Sequence, residues 1–160
     1  MVLARSAASP AQDLDHVEVC TSHGLLTVFV HRPSARPRAA IVTARGSVGG
    51  VLGQGHALYQ RLGARWSARE VGVHRVGCRV PNDLDRCAHD TACAVEMAAE
   101  DGAERVVVTG QSFGGAVTIR VAVVMTAEAT GAVTFATQSA GCEVAGALAG
   151  RPAAAVPRRP

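Results

Sequence analysis

The sequence contains no lysine, few aromatic residues and no long hydrophobic run. All 16 basic residues in the 160-residue chain are arginines, and they are spread along its whole length. We therefore expect no nucleic-acid partner, in spite of a formal net charge of +3. The missing lysine also excludes a phosphate-binding loop of the type G-x-x-x-x-G-K-[ST]. No apolar run approaches the roughly 20 residues of a membrane-spanning helix, so we expect no membrane partner.

The five cysteines are an odd set without the paired spacing of a zinc site. Such a set is typical of reduced thiols in a reducing compartment. The N-terminus lacks the basic segment, apolar core and cleavage site of a secretory signal, and we therefore expect a cytoplasmic protein. His89 and Cys93 lie four residues apart on one predicted helix face, but two such residues are too few for a tetrahedral site. We predict no metal and no other cofactor.

The chain alternates β-rich and helical segments, which predicts an α/β protein with a mostly parallel sheet covered on both faces. We predict one domain over residues 16–150, preceded by a flexible lead-in over residues 1–15 and followed by an irregular Pro/Arg/Ala tail over residues 151–160. Two short β-rich runs joined by a Gly-containing turn predict an opening hairpin at 16–20 and 25–31. The other predicted strands are 39–44, 71–76, 104–109 and 132–136. The predicted helices are 56–68, one opened by Pro81-Asn82, 113–125 and a short one near 143–149.

Spacing within the helices predicts which side chains face inward. Leu58, Leu62 and Trp66 recur every four residues, so we expect this face of the first helix to pack against the sheet. In the second helix, Asp90 and the aspartates of the first turn predict a solvated face that interacts favourably with the helix dipole.

The segment Gly110-Gln111-Ser112-Phe113-Gly114 has the spacing G-x-S-x-G and lies between a predicted strand and a predicted helix. This context is that of a nucleophile elbow, a strained turn that exposes the serine side chain. Gly110 and Gly114 fit because backbone segments approach closely there. The Phe113 N–H, at the helix N-terminus, can hold the oxyanion formed when Ser112 attacks a carbonyl. The alternative is that Ser112 only caps the helix.

A second oxyanion donor is expected from the loop after the strand at residues 39–44. The segment Gly46-Ser47-Val48-Gly49-Gly50 occupies this place, and we favour the Ser47 N–H as the donor. The spacing of its glycines does not match the dinucleotide pattern G-x-G-x-x-G. The alternative is an ordinary flexible connection between a strand and a helix.

Three segments resemble a group of bacterial α/β-hydrolases related to dienelactone hydrolases. They are VGCRVPNDLD at residues 76–85, GQSFGGAV at 110–117 and ATQSAGC at 136–142. The similarity runs from about His16 to Pro152. It implies a three-layer α/β-hydrolase fold and a serine hydrolase acting on an ester or similar acyl bond of a small molecule. Dienelactone hydrolases use a cysteine nucleophile, whereas this elbow carries Ser112, so a lactone substrate is not implied.

The residues after Ser112 depart from the pattern of this group. In the α/β-hydrolase fold an acid and then a histidine follow the serine. Here all six histidines precede Ser112, and the acids that follow it are Glu128 and Glu143. We therefore expect a truncated or frameshifted hydrolase that lacks the last strands and whose catalysis is impaired. For His56, near the Gly-rich loop, we expect a structural or loop-capping role, and the alternative is that it reaches Ser112.

Two other interpretations stay open. In the first, the chain is a genuine short member of the group. In the second, it is a non-catalytic domain that binds a small acyl ligand or a partner chain. Loss of the last strands would expose an edge of the sheet, so we also expect self-association through that edge.

Overall fold

The computed structural model describes residues 2–48 and 50–157. Its strands are β1 (Val2–Ala11), β2 (Leu14–Thr21), β3 (Gly24–His31), β4 (Ala39–Ala44), β5 (Val71–Gly77), β6 (Arg105–Gln111), β7 (Ala129–Phe135) and β8 (Ala153–Val156). Its α-helices are α1 (Gln54–Ser67), α2 (Leu84–Glu100) and α3 (Phe113–Val124). Short 3₁₀ helices lie at Gly50–Leu52 and Ala145–Leu148, the second within the segment predicted as a short helix.

The described strands form one sheet in the order β1-β2-β3-β5-β4-β6-β7-β8. The pairs from β1 to β3 and the pair β3·β5 are antiparallel. From β5 onward every pair is parallel, which confirms the predicted α/β architecture with a mostly parallel sheet. The opening hairpin is confirmed as well, with Cys20 opposite Leu25.

The centre of the sheet is apolar because parallel strands are buried on both faces. In strand β6, Val106 and Val108 lie on one face and are 0% exposed, and Thr109 on the other face is 3% exposed. Helix α2 packs against this core, and its N-terminus is capped by the Asp83 side chain, which accepts a hydrogen bond from the Arg86 N–H at 3.0 Å. Strands β4 and β6 are neighbours and run parallel, so their carboxyl ends lie at the same edge of the sheet.

The flexible lead-in predicted for residues 1–15 is wrong for the described part of that segment. Residues 2–11 form β1, which pairs antiparallel with β2, and Leu14 already begins β2. Nearly every residue of β1 is exposed, so the segment needs no alternation of apolar and polar residues. Periodicity cannot reveal a strand of this kind.

The irregular tail predicted for residues 151–160 is also wrong in its centre. Residues 153–156 form β8, the edge strand parallel to β7, while residues 158–160 lie outside the described part of the chain. Pro152 and Pro157 flank this strand instead of interrupting it. The Pro152 carbonyl accepts from the Ala132 N–H at 3.0 Å, and an edge strand tolerates proline at its ends.

Helix α1 packs on a different face from the one predicted. Its buried residues are Tyr59, Gly63 and Ser67, whereas Trp66 is 38% exposed. Gly63 decides the orientation, because a Cβ there would overlap the ring of His31 on β3. The helix therefore contacts β3 at Gly63, and the face that carries its larger apolar side chains is turned away from this contact.

Asp90 is buried, which corrects the solvated face predicted for α2. Its side chain is 0% exposed and forms an ion pair with Arg79. The Arg79 N–H and Nε both donate to this carboxylate at 2.8 Å, and Nη2 donates to it as well. The partner comes from the segment after β5, so the helix sequence alone carries no sign of it. Among the described helices, none has both the length and the apolar composition needed to cross a membrane.

Candidate active site

Ser112 lies in the turn that joins β6 to α3, at the carboxyl edge of the parallel strands. Its backbone has φ 54° and ψ −117°, a conformation that costs a non-glycine residue about 1–3 kcal/mol. Two hydrogen bonds hold it there, from the Ser112 N–H to the Phe135 carbonyl and from the Gly115 N–H to the Ser112 carbonyl, both 3.0 Å long. The strained serine turn between strand and helix is therefore present.

The glycines of the motif allow three backbone segments to meet. A Cβ on Gly114 would lie 2.5 Å from the Ala44 carbonyl oxygen and 2.6 Å from that of Arg45. A Cβ on Gly110 would overlap the backbone of Gly114 itself. The first turn of α3 is consequently pressed against the end of β4, where the Gly-rich loop begins.

The Ser112 side chain does not cap α3. Ser112 occupies the N-cap position, but its side chain makes no capping hydrogen bond. Within residues 2–48 and 50–157, Oγ has no hydrogen-bond partner, and the residue is half-buried. The alternative that Ser112 only caps the helix is therefore wrong.

The Gly-rich loop lies beside the elbow. A Cβ on Gly46 would be 3.2 Å from the Gln111 carbonyl oxygen, the residue directly before Ser112. In the described part of the chain, neither the Ser47 N–H nor the Phe113 N–H has a hydrogen-bond acceptor. Neither amide is therefore used in the hydrogen bonding of the described chain. Gly49, which belongs to the predicted loop, lies outside the described residues.

Among the residues that the structure describes, no histidine or carboxylate side chain forms a hydrogen bond with Ser112 Oγ. His31 and His74 are buried, and burial lowers the pKa of each to about 4. His56 is exposed at the start of α1, and it forms no hydrogen bond with Ser112. Within the described ranges, Ser112 Oγ therefore has no base to accept its proton, which is how a serine nucleophile is usually activated.

Of the two acids that follow Ser112, Glu143 is held within its own loop. Glu143 is exposed and accepts a hydrogen bond from the Gly141 N–H at 3.0 Å. Hydrogen bonds from its own N–H and from that of Gly141 lower the pKa of Glu143, which therefore serves its own loop. In the described ranges, no three His, Cys, Asp or Glu side chains are grouped so that they could hold a metal ion.

Sequence reasoning did not single out two residues that the fold brings to the elbow. Tyr59 Oη accepts a hydrogen bond from the Gln111 N–H at 3.1 Å. The Gln138 N–H lies 3.4 Å from the Ser112 carbonyl oxygen. Both contacts join segments far apart in the chain, and the only local signal was that Tyr59 is the sole tyrosine.

Among the comparisons with known proteins, the one with solved structures identifies the fold. No protein-family model and no curated protein matches the sequence. Solved structures do match. The chain has an α/β-hydrolase fold.

Three of these solved structures illustrate the similarity. An esterase from the hyperthermophilic archaeon Pyrobaculum calidifontis is 17% identical, with a TM-score of 0.61 over 81% of this chain and 45% of its own. A lidless α/β serine hydrolase from Xanthomonas campestris is 19% identical, with a TM-score of 0.63 over 84% of this chain and 66% of its own. The thermophilic carboxylesterase EstE1, cloned from a metagenomic library, is 20% identical, with a TM-score of 0.63 over 81% and 48%. The chain thus spans about half to two thirds of the length of these neighbours.

Proposed function

We propose that Ser112 is the nucleophile of a serine hydrolase site that acts on an ester or similar acyl bond of a small molecule. The observation that carries this proposal is the strained turn at Ser112, whose side chain has no structural partner among the described residues. Strain of this kind is concentrated at functional sites. In this proposal Ser112 Oγ attacks the acyl carbon, and the Phe113 and Ser47 amides stabilise the oxyanion.

Without an adjacent base, we expect this chemistry to be slow in the 160-residue chain. A serine hydroxyl is a weak nucleophile at neutral pH unless a base removes its proton. Oxyanion stabilisation and substrate binding still give residual catalysis when triad members are absent. We therefore propose that this protein is an impaired hydrolase that uses no metal or organic cofactor.

The alternative is a non-catalytic domain that uses the same site to bind an acyl ligand or a partner chain. This alternative is favoured because no base among the described residues forms a hydrogen bond with Ser112 Oγ. We further propose that the protein is cytoplasmic, as its cysteine pattern suggests, and related to the dienelactone-hydrolase-like group, which the three resembling segments support.

Labelling by a fluorophosphonate probe separates the two functions. An activated Ser112 displaces fluoride from the phosphonate, forms an Oγ–P bond and releases its proton to solvent. We expect slow labelling of the wild-type protein and none of Ser112→Ala. A control variant, Ser139→Ala, changes a serine outside the proposed site and should label like the wild type. A folded wild-type protein that stays unlabelled would favour the binding domain.

Chemical rescue tests why the activity is slow. If only the base is missing, added imidazole should accelerate p-nitrophenyl acetate hydrolysis in the wild type beyond its effect on Ser112→Ala. The Ser112→Ala sample supplies the background, because imidazole itself hydrolyses this ester. Equal rates in the two proteins at every imidazole concentration would contradict a nucleophilic role for Ser112.

A further inference from the structure

Tyr59 joins the two segments that carry the proposed oxyanion donors. It lies on α1 and is 1% exposed. Its hydroxyl donates to the Ala44 carbonyl at 3.0 Å and accepts from the Gln111 N–H at 3.1 Å. Ala44 is the last residue of β4 before the loop that contains Ser47, and Gln111 directly precedes Ser112. One hydroxyl therefore contacts the backbone at the base of both segments.

The hydroxyl acts where the pairing between β4 and β6 ends. The last residue pair between these strands is Ala44 and Gly110. Beyond it the two strands separate, β4 into the Gly-rich loop and β6 into the elbow. A buried backbone group without a partner costs free energy comparable to a lost hydrogen bond. Because a tyrosine hydroxyl can both donate and accept, Tyr59 satisfies one group on each strand.

The chain also adapts to the Tyr59 ring. Gly53 has φ 73°, and a Cβ at that position would lie 2.7 Å from the ring. The backbone before α1 therefore passes directly over the aromatic face, and only glycine fits there. Burial raises the pKa of Tyr59 to about 12, although the hydrogen bond from Gln111 lowers it, so the hydroxyl keeps its proton at neutral pH.

We propose that Tyr59 is a positioning residue whose hydroxyl sets the spacing between the Ser47 loop and the Ser112 elbow. This inference rests on the proposed function, because it assigns the spacing to the oxyanion site. Oxyanion donors act only when they lie within about 2.7–3.1 Å of the developing charge, so a small displacement of either segment weakens the site.

Tyr59→Phe tests the inference, since it keeps the ring and removes the hydroxyl. We expect the maximal rate of fluorophosphonate labelling to fall about tenfold, less than the 10²–10³-fold loss from removing an oxyanion donor. The probe concentration at half-maximal rate should change less than about twofold, because the hydroxyl does not contact the probe. Thr91→Val is the matched control. It removes another buried hydroxyl, which donates to the Cys87 carbonyl at 2.8 Å on α2.

The inference would be overturned if Tyr59→Phe were labelled at the wild-type rate, or if Thr91→Val lost as much labelling rate as Tyr59→Phe. Either result would leave the proposed function intact. Amide hydrogen exchange provides a readout that needs no labelling. Tyr59→Phe should increase exchange in both residues 44–48 and residues 110–115, while Thr91→Val should not. If the wild type is not labelled at all, the proposed function fails, and the exchange result alone decides whether Tyr59 couples the segments.

A second probe serves if Tyr59→Phe does not fold. Tyr59 is the only tyrosine, so 3-fluorotyrosine incorporated throughout the protein places one fluorine on this ring. We expect its ¹⁹F resonance to shift when Gly46→Ala displaces the loop, and to stay unchanged in Gly146→Ala, where an added Cβ has no atom within 4 Å. An unchanged resonance in Gly46→Ala would contradict the coupling.

Discussion

Replacing Asp90 with alanine should destabilise the fold strongly, because it leaves the Arg79 guanidinium charged and mostly buried. The Asp90 side chain is 0% exposed and that of Arg79 is 16% exposed. Three N–H groups of Arg79 donate to this carboxylate, and Nη1 donates to Thr21 Oγ1 at 3.0 Å. The pair thus ties α2 to the segment after β5 and to the opening hairpin.

The expected magnitude follows from the cost of an uncompensated buried charge. Removing one partner of a buried ion pair costs about 3–5 kcal/mol. Domains of this size lose about 2–4 °C in Tm per kcal/mol, so Tm should fall by roughly 6–20 °C. Urea denaturation followed by circular dichroism, together with a thermal melt, measures both quantities.

Two comparisons make this prediction refutable. Asp85→Ala breaks the exposed pair with Arg120 and should cost about 1 kcal/mol or less, since the Asp85 side chain is 84% exposed. The double variant Arg79→Leu/Asp90→Leu removes both charges and should recover at least half of the loss. If Asp90→Ala unfolds within about 1 kcal/mol of Asp85→Ala, the reasoning about the buried charge is refuted.

Three further predictions concern pH, the elbow and the sheet edge. Burial lowers the pKa of His74 to about 4, so between about pH 6.5 and 4 the unfolded chain binds more protons and the free energy of unfolding decreases as the pH is lowered. Urea midpoints measured across this range should show the decrease, and His74→Asn should flatten the profile. Gly114→Ala forces α3 away from the Ala44 carbonyl and should abolish fluorophosphonate labelling, whereas Gly146→Ala, which has open space, should label normally. If β8 mediates self-association, Ala155→Pro should give a monomer by light scattering at concentrations where the wild type associates. The alternation of β8 points the Ala155 N–H away from β7, so proline removes a donor from the free edge and keeps the pairing with β7. A wild-type monomer at all concentrations would contradict the association.

The elbow and its flanking elements could be predicted because their signals are local. The valine-rich run of β6 indicates a strand buried on both faces, and the apolar segment after Phe113 indicates a helix. Between them, the glycines around Ser112 report the close packing of backbone segments. Each of these signals lies within a few residues of the feature it predicts.

The strands at the two edges of the sheet could not be predicted. Strands β1 and β8 are almost entirely exposed, so neither has the alternation that a half-buried strand requires. They are strands because a neighbouring strand offers backbone donors and acceptors. Backbone pairing with the partner strand therefore determines the conformation of each edge strand.

The contacts that organise the site also depended on the tertiary structure. The sequence by itself determined the strand–turn–helix order around Ser112, because short-range packing and backbone freedom decide it. Only the folded chain placed Arg79 on Asp90, and Tyr59 between the ends of β4 and β6. A buried charge or hydroxyl must find a partner, but that partner comes from a distant segment, and only chain topology decides which one is within reach.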